Sequence, residues 1–176
     1  MIPVFLGLGS NINREHNIKA AIQLLEKEFS ELRASKVYEN EAIGFEGPPF
    51  FNLVVAVETD KPLLDVQKLC KDIEVQLGRE EKAPRFSSKT LDIDILLYGK
   101  EITAAKPGIP KLPRTEITEQ AYVLKPLSEL APYLQHPETQ VTFLDIWKAY
   151  NAKEQPNTIL REFSLQELIE VGKVAG

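Results

Sequence analysis

The runs that read as strands in this chain stand too close together for most of them to be joined by parallel crossovers. Ile2 to Leu8 is one such run, a short stretch near Leu32 to Tyr38 another, Phe51 to Glu58 (Leu53, Val55 and Val57 on one side) a third and Leu91 to Tyr98 a fourth. A parallel pair needs a dozen or more connecting residues. Helical spacing recurs in Ile18, Ala21, Ile22, Leu25 and Phe29, and again in Leu63, Val66, Leu69, Cys70, Ile73 and Leu77, the latter bracketed by Pro62 and Gly78. Helices alternating with closely joined strands predict a two-layer α+β sandwich. Gly7 to Asn11 is expected to be a tight turn, Glu39 to Pro49 a loop that can fold over a ligand, and Gly99-Lys100 a turn into a hairpin partner at Glu101 to Thr103. Pro107, Pro110 and Pro113 keep the next segment extended before a helix over Glu119 to Leu130. Two short helices follow, one capped by Thr142 and one by the Ser164-Leu165-Gln166-Glu167 capping box.

Composition narrows the function. At 176 residues and 43% apolar the chain suits one well-buried domain, and its longest apolar runs fall far short of a bilayer span. The first residues do not read as a secretory signal, and a single cysteine, Cys70, cannot pair internally, which suits a reducing cytoplasm. With 21 Lys and Arg against 26 Asp and Glu the net charge is −5, which argues against nucleic-acid binding and makes any anion site local. His16 and His136 lack partners at zinc-ligand spacing, and Cys70, beside Leu69 and Ile73, reads as an inert core thiol.

Charge sorts sharply between Gly78 and Asp94. Arg79, Lys82, Arg85 and Lys89 stand against only Glu80 and Glu81, a cationic island in an acidic chain. Asp92 and Asp94 then lie two apart in a strand, on one face and roughly 7 Å from each other, with Leu91, Ile93 and Ile95 on the opposite face. Two like charges on one face call for a cation between them. Mg²⁺ fits, since it takes one or two carboxylates and completes its shell with water and phosphate oxygens. Cations that hold a phosphate tail beside such a pair supply what phosphoryl transfer needs, which is neutralisation and in-line placement. Phe50, Phe51, Phe86 and Tyr122 border three irregular regions where a flat heterocycle can stack, and Asn52 can offer a bidentate amide to a ring edge.

The order and spacing of these residues resemble the 6-hydroxymethyl-7,8-dihydropterin pyrophosphokinase family of folate biosynthesis. Its signature Arg-Trp-Gly-Pro-Arg-Thr-Leu-Asp-Leu-Asp-Ile appears as Arg85-Phe86-Ser87-Ser88-Lys89-Thr90-Leu91-Asp92-Ile93-Asp94-Ile95. Gly9-Ser10-Asn11, Tyr38 with Gly44, Phe50-Phe51-Asn52, Gly78-Arg79 and Tyr122 to Leu127 match as well. The resemblance implies a ferredoxin-like fold and transfer of pyrophosphate from MgATP to the pterin hydroxymethyl group with release of AMP, in a cytoplasmic monomer that binds small molecules and neither nucleic acid nor membrane. Asp92 and Asp94 would bind two Mg²⁺ ions, and Arg79, Lys82, Arg85 and Lys89 would be catalytic, Lys82 and Arg85 on a closing loop. Arg79, Lys89, Arg114 and Gln120 would face ATP, while Asn40, Ile43, Phe50, Asn52, Phe86 and Tyr122 would hold the pterin.

The chain departs from the family inside the site. Phe86, Ser87, Ser88 and Lys89 replace Trp, Gly, Pro and Arg, and Glu81 stands for a loop Arg. Arg114 replaces His, Gln120 replaces a phosphate-binding Arg, and Asn40 replaces Thr. Phe86 can still stack, whereas Lys89 keeps its charge but loses the planar fork. These departures leave two rivals open at this point: transfer to another small heterocyclic alcohol, and a binding module without turnover. The catalytic domain is expected over 1–150, with 151–176 an extension bearing a short helix.

Overall fold

The computed structural model describes residues 1–79, 86–153 and 159–174, with side chains as far as 170. In chain order these form β1 (Ile2–Ser10), α1 (Arg14–Glu28), β2 (Leu32–Ala34), β3 (Val37–Asn40), β4 (Phe50–Thr59) and α2 (Leu63–Gln76). There follow β5 (Asp92–Tyr98), α3 (Glu116–Glu119), α4 (Ala121–Leu130), α5 (Phe143–Ala152), β6 (Ile159–Phe163) and α6 (Leu165–Val174). The strands form one antiparallel sheet in the order β5-β1-β4-β3-β6, with β2 also paired to β4.

Alternation along the central strands sorts the core into two clusters. Val4, Leu6 and Leu8 of β1, Leu53, Val55 and Val57 of β4, and Ile93 and Ile95 of β5 pack under α1, α2 and Leu168 of α6. Full burial of each such aliphatic side chain contributes about 1.5–3 kcal/mol. Cys70 is buried in this cluster, and burial pushes its thiol up to about 12. On the reverse face Phe5, Val54, Ala56 and Leu96 pack against Ile117, Val123, Leu124, Leu127 and Phe143. The ferredoxin-like α+β sandwich thus gains a helical cover on its second face. That cover is partial, because the β1 residues facing it run Phe5, Gly7, Gly9 and so taper to nothing at one end.

The expected tight turn at Gly7 to Asn11 is instead strand through Ser10. Both glycines are there for close packing: a Cβ on Gly7 would stand 3.3 Å from Leu96, and one on Gly9 would stand 2.6 Å from the Asn52 side-chain oxygen. The single run near Leu32 to Tyr38 is two strands, β2 and β3. Glu101 to Thr103 forms no hairpin with β5: Thr103 bridges Leu112. The free edge of β5 is taken by a later segment, whose Arg114 N–H donates to Leu96 O at 3.0 Å. Beyond the expected C-terminal helix, β6 joins the sheet beside β3. The two caps form as expected, with Asp145 N–H on Thr142 Oγ1 at 3.2 Å and Glu167 N–H on Ser164 Oγ at 3.1 Å.

Candidate active site

The hollow over Gly7 and Gly9 is a cavity of about 580 Å³. Its axis follows the register. Asp92 and Asn52 both sit opposite Gly9, one on β5 and the other on β4, so a residue without a side chain separates them by two interstrand spacings, about 10 Å. Asp94 is opposite Gly7 in the next row, and Tyr38 and Asn40 continue the amide end onto β3.

At the carboxylate end each aspartate meets a guanidinium. Arg79 Nη1 lies 2.6 Å from Asp92 Oδ1 and 2.9 Å from Glu74 Oε1, and Arg114 Nη2 lies 3.3 Å from Asp94 Oδ1. Local geometry aims both arginines. Gly78, at φ 92°, ends α2 in a Schellman motif with Gly78 N–H on Val75 O and Arg79 N–H on Glu74 O, which turns Arg79 off the helix toward β5. The edge bond to Leu96 sets Arg114 beside Asp94. Glu74, 2% exposed, also accepts from Ile93 N at 2.7 Å and Lys71 Nζ at 3.2 Å. Burial pushes its carboxyl pKa up, and these donors offset that only in part.

Burial and the neighbouring Asp92 raise the Asp94 carboxyl to about 7, despite Arg114 and Lys71. Burial and then Arg79 hold the Lys89 ammonium below its ordinary range. Carboxylates crowded together and cations crowded together are each relieved by an ion of the opposite sign: a divalent cation at the first, a polyphosphate at the second. Asp92 and Asp94 are a pair and not a cage, for among the described residues no three His, Cys, Asp or Glu side chains gather as metal ligands. Two hard oxygen donors are nonetheless what a Mg²⁺ ion takes from a protein when phosphate oxygens complete its shell.

The other end is built for a flat ring. Asn52 Nδ2 donates to Asn40 Oδ1, and Asn40 Nδ2 donates to Glu41 O at 3.1 Å. Phe50 and Phe45 meet edge to face at 6.3 Å, and Phe86 lies against Gly44, where a Cβ would stand 2.9 Å from its ring. Asn11 ties the two bordering loops together: its Oδ1 accepts from Lys89 N at 2.7 Å and its Nδ2 donates to Pro48 O and Ser88 Oγ.

Of the sequence-derived candidates among the described residues, Asn40, Ile43, Phe50, Asn52, Arg79, Phe86, Lys89, Asp92, Asp94, Arg114, Gln120 and Tyr122 line this one cavity; Phe51 does not, because strand alternation turns it to the opposite face, where it is buried in the core against Phe163. Lys82 and Arg85, with Glu81, lie outside the described residues. Sequence reading missed Lys71 and Phe45, which also line the cavity, and Glu74, which braces it. The signal for Glu74 was its place in the apolar stripe of α2, one helical turn after Cys70.

The family model for 7,8-dihydro-6-hydroxymethylpterin-pyrophosphokinase (HPPK) matches residues 5–132. The chain belongs to this family. A 2-amino-4-hydroxy-6-hydroxymethyldihydropteridine pyrophosphokinase of Porphyromonas gingivalis is 36% identical over 143 residues, covering 78% of this chain and 96% of that protein. The protein of the same name from Aquifex aeolicus is 36% identical over 140 residues, covering 78% and 85%. The HPPK-DHPS crystal structure from Plasmodium falciparum superposes with a TM-score of 0.66 at 16% identity and shares the fold; it covers 86% of this chain, which spans only 41% of that longer one. The HPPK match holds the glycine strand, the Schellman turn and both aspartates, and stops before α5, β6 and α6.

Proposed function

We propose that this chain transfers the terminal pyrophosphate of ATP to the hydroxymethyl group of 6-hydroxymethyl-7,8-dihydropterin, releasing AMP, in folate biosynthesis. The observation that carries the reading is one cavity with an amide and aromatic end and an aspartate and cation end, set apart by Gly7 and Gly9 of β1. Family membership supplies the reaction, and the named relatives supply the acceptor.

Asp92 and Asp94 would hold Mg²⁺, two ions with ATP bound, which when present neutralise phosphate charge and align the triphosphate. Arg79, Lys89 and Arg114, with Gln120, line the same cavity as the aspartates and would grip the phosphates. Arg114 adds a cation where Gln120 removes one. Asn52, oriented by Asn40, presents its amide to the edge of the pterin, and Phe50, Phe86, Tyr122 and Ile43 enclose its faces. With the ring so held, the acceptor hydroxyl gives up its proton to water and its oxygen bonds to the β-phosphorus as the bridge to the α-phosphorus breaks and AMP leaves. The protein contributes placement and charge more than covalent chemistry.

The test is incubation with MgATP and the pterin, following AMP and pterin pyrophosphate by chromatography, with pterin-free and EDTA controls. Pterin-dependent AMP that EDTA abolishes is the expected result. ATP consumption with no pterin pyrophosphate refutes the acceptor, and nucleotide binding with no AMP refutes turnover.

A further inference from the structure

Tyr38 does not line the cavity, yet it stands beside two residues that do, Asn52 across the sheet and Asn40 on its own strand. It is fully buried, pairs with Asn52 across the sheet, and shares its face of β3 with Asn40 two residues on. Its hydroxyl donates to Glu129, and the Lys125 ammonium lies 5.4 Å from its ring centroid. Tyr122, Lys125 and Glu129 are three and four residues apart and so form one stripe of α4. The stripe that sends Tyr122 into the cavity therefore rests its next two turns on Tyr38.

The first turn of α4 needs such a tether. Pro126 has no N–H to give the Tyr122 carbonyl, so the helical bond that would stiffen this turn is missing. A second tie comes from outside the family match: Glu162 of β6 pairs with Lys125 at 2.6 Å and with Lys36 at 3.4 Å, fastening α4 to the sheet edge.

We propose that Tyr38 is a positioning residue which, anchored by Glu129 and Lys125, sets where Tyr122 stands opposite Asn52 and so the width of the slot that takes the acceptor ring. This rests on the pterin reading above.

The full chain labelled with 3-fluorotyrosine carries five fluorine signals, and Tyr122→Phe identifies the one from Tyr122. Tyr38→Phe keeps the ring and removes only the tether. It should shift or broaden the Tyr122 signal and raise the acceptor KM about tenfold, the scale of one lost hydrogen bond, with the ATP KM within about twofold of the parent. Glu129→Ala, at an exposed position, should do the same, and Glu129→Gln, which still accepts, should restore both readouts. An unmoved Tyr122 signal in Tyr38→Phe overturns the proposal, as does an acceptor KM that stays put or rises together with that for ATP. A parent chain without pterin-dependent turnover refutes the pyrophosphokinase reading instead, and the fluorine signal still decides whether Tyr38 holds Tyr122.

Discussion

Removing Glu74 tests whether the aspartate end is braced by a hydrogen bond or by a charge. The carboxylate is 2% exposed and meets Ile93 N at 2.7 Å, Arg79 at 2.9 Å and Lys71 at 3.2 Å. In Glu74→Ala the Ile93 N–H loses a charged acceptor between α2 and β5, a loss of about 1.5–3 kcal/mol. Arg79 adds little to this, because it is partly exposed and keeps Asp92 at 2.6 Å. The expected cost is therefore about 2–3 kcal/mol, a fall of roughly 5–10 °C in Tm for a chain of this size. Glu74→Gln should cost under about 1 kcal/mol, since its amide oxygen still accepts from Ile93 and the buried position resists ionisation. An acid whose folded pKa is raised binds more protons in the native state, so stability drops as pH rises through its range; the parent should gain on the Gln variant as pH falls from the raised folded pKa to the ordinary carboxylate value, and hold that gain below it. Urea unfolding followed by circular dichroism measures all three chains. A Gln variant as unstable as the Ala variant would refute the hydrogen-bond account, and two variants as stable as the parent would refute the bracing itself.

Gly9→Ala drives a methyl to 2.6 Å from the Asn52 oxygen, so the amide must turn away; the acceptor KM should rise while the ATP KM holds, as steady-state kinetics will show. Asp94→Ala should lower turnover by at least ~100-fold, by analogy with other losses of transition-state electrostatics, and near-normal AMP release would remove Asp94 from the chemistry. Lys89→Arg should lower the ATP KM if only the planar fork is missing, and a higher KM would show a site fitted to lysine. Burial depresses the imidazolium of His136, whose Nδ1 accepts from Glu138 N at 3.2 Å, so its contribution to stability is complete above about pH 6.5 and is lost as pH falls toward its folded pKa. His136→Asn should flatten that part of the pH dependence of unfolding.

What was legible in the chain followed the strength of local signals. The stripes of α1 and α2, the Asp92 and Asp94 face and the Thr142 and Ser164 caps each rest on side chains within a few residues of one another, and each is where the pattern placed it. Gly7 and Gly9 misread as a turn because their cause is distant, in Leu96 and Asn52. Strand β6 escaped notice because it is held less by apolar burial than by ion pairs, Arg161 to Glu39 and Glu162 to Lys125. The site residues were visible as types in order, but Glu74 was hidden because a carboxylate in an apolar stripe makes sense only once Ile93 and Arg79 arrive from elsewhere.

The bare stretch of β1 serves as a ruler. Since the gap between the strand positions of Asn52 and Asp92 is made of backbone spacing alone, no substitution at either end lengthens or shortens it. The chain is thereby free to vary side chains such as Phe86, Lys89 and Arg114 at the two ends. Such exchanges retune how firmly each reactant is gripped and leave untouched the distance over which the group is handed across.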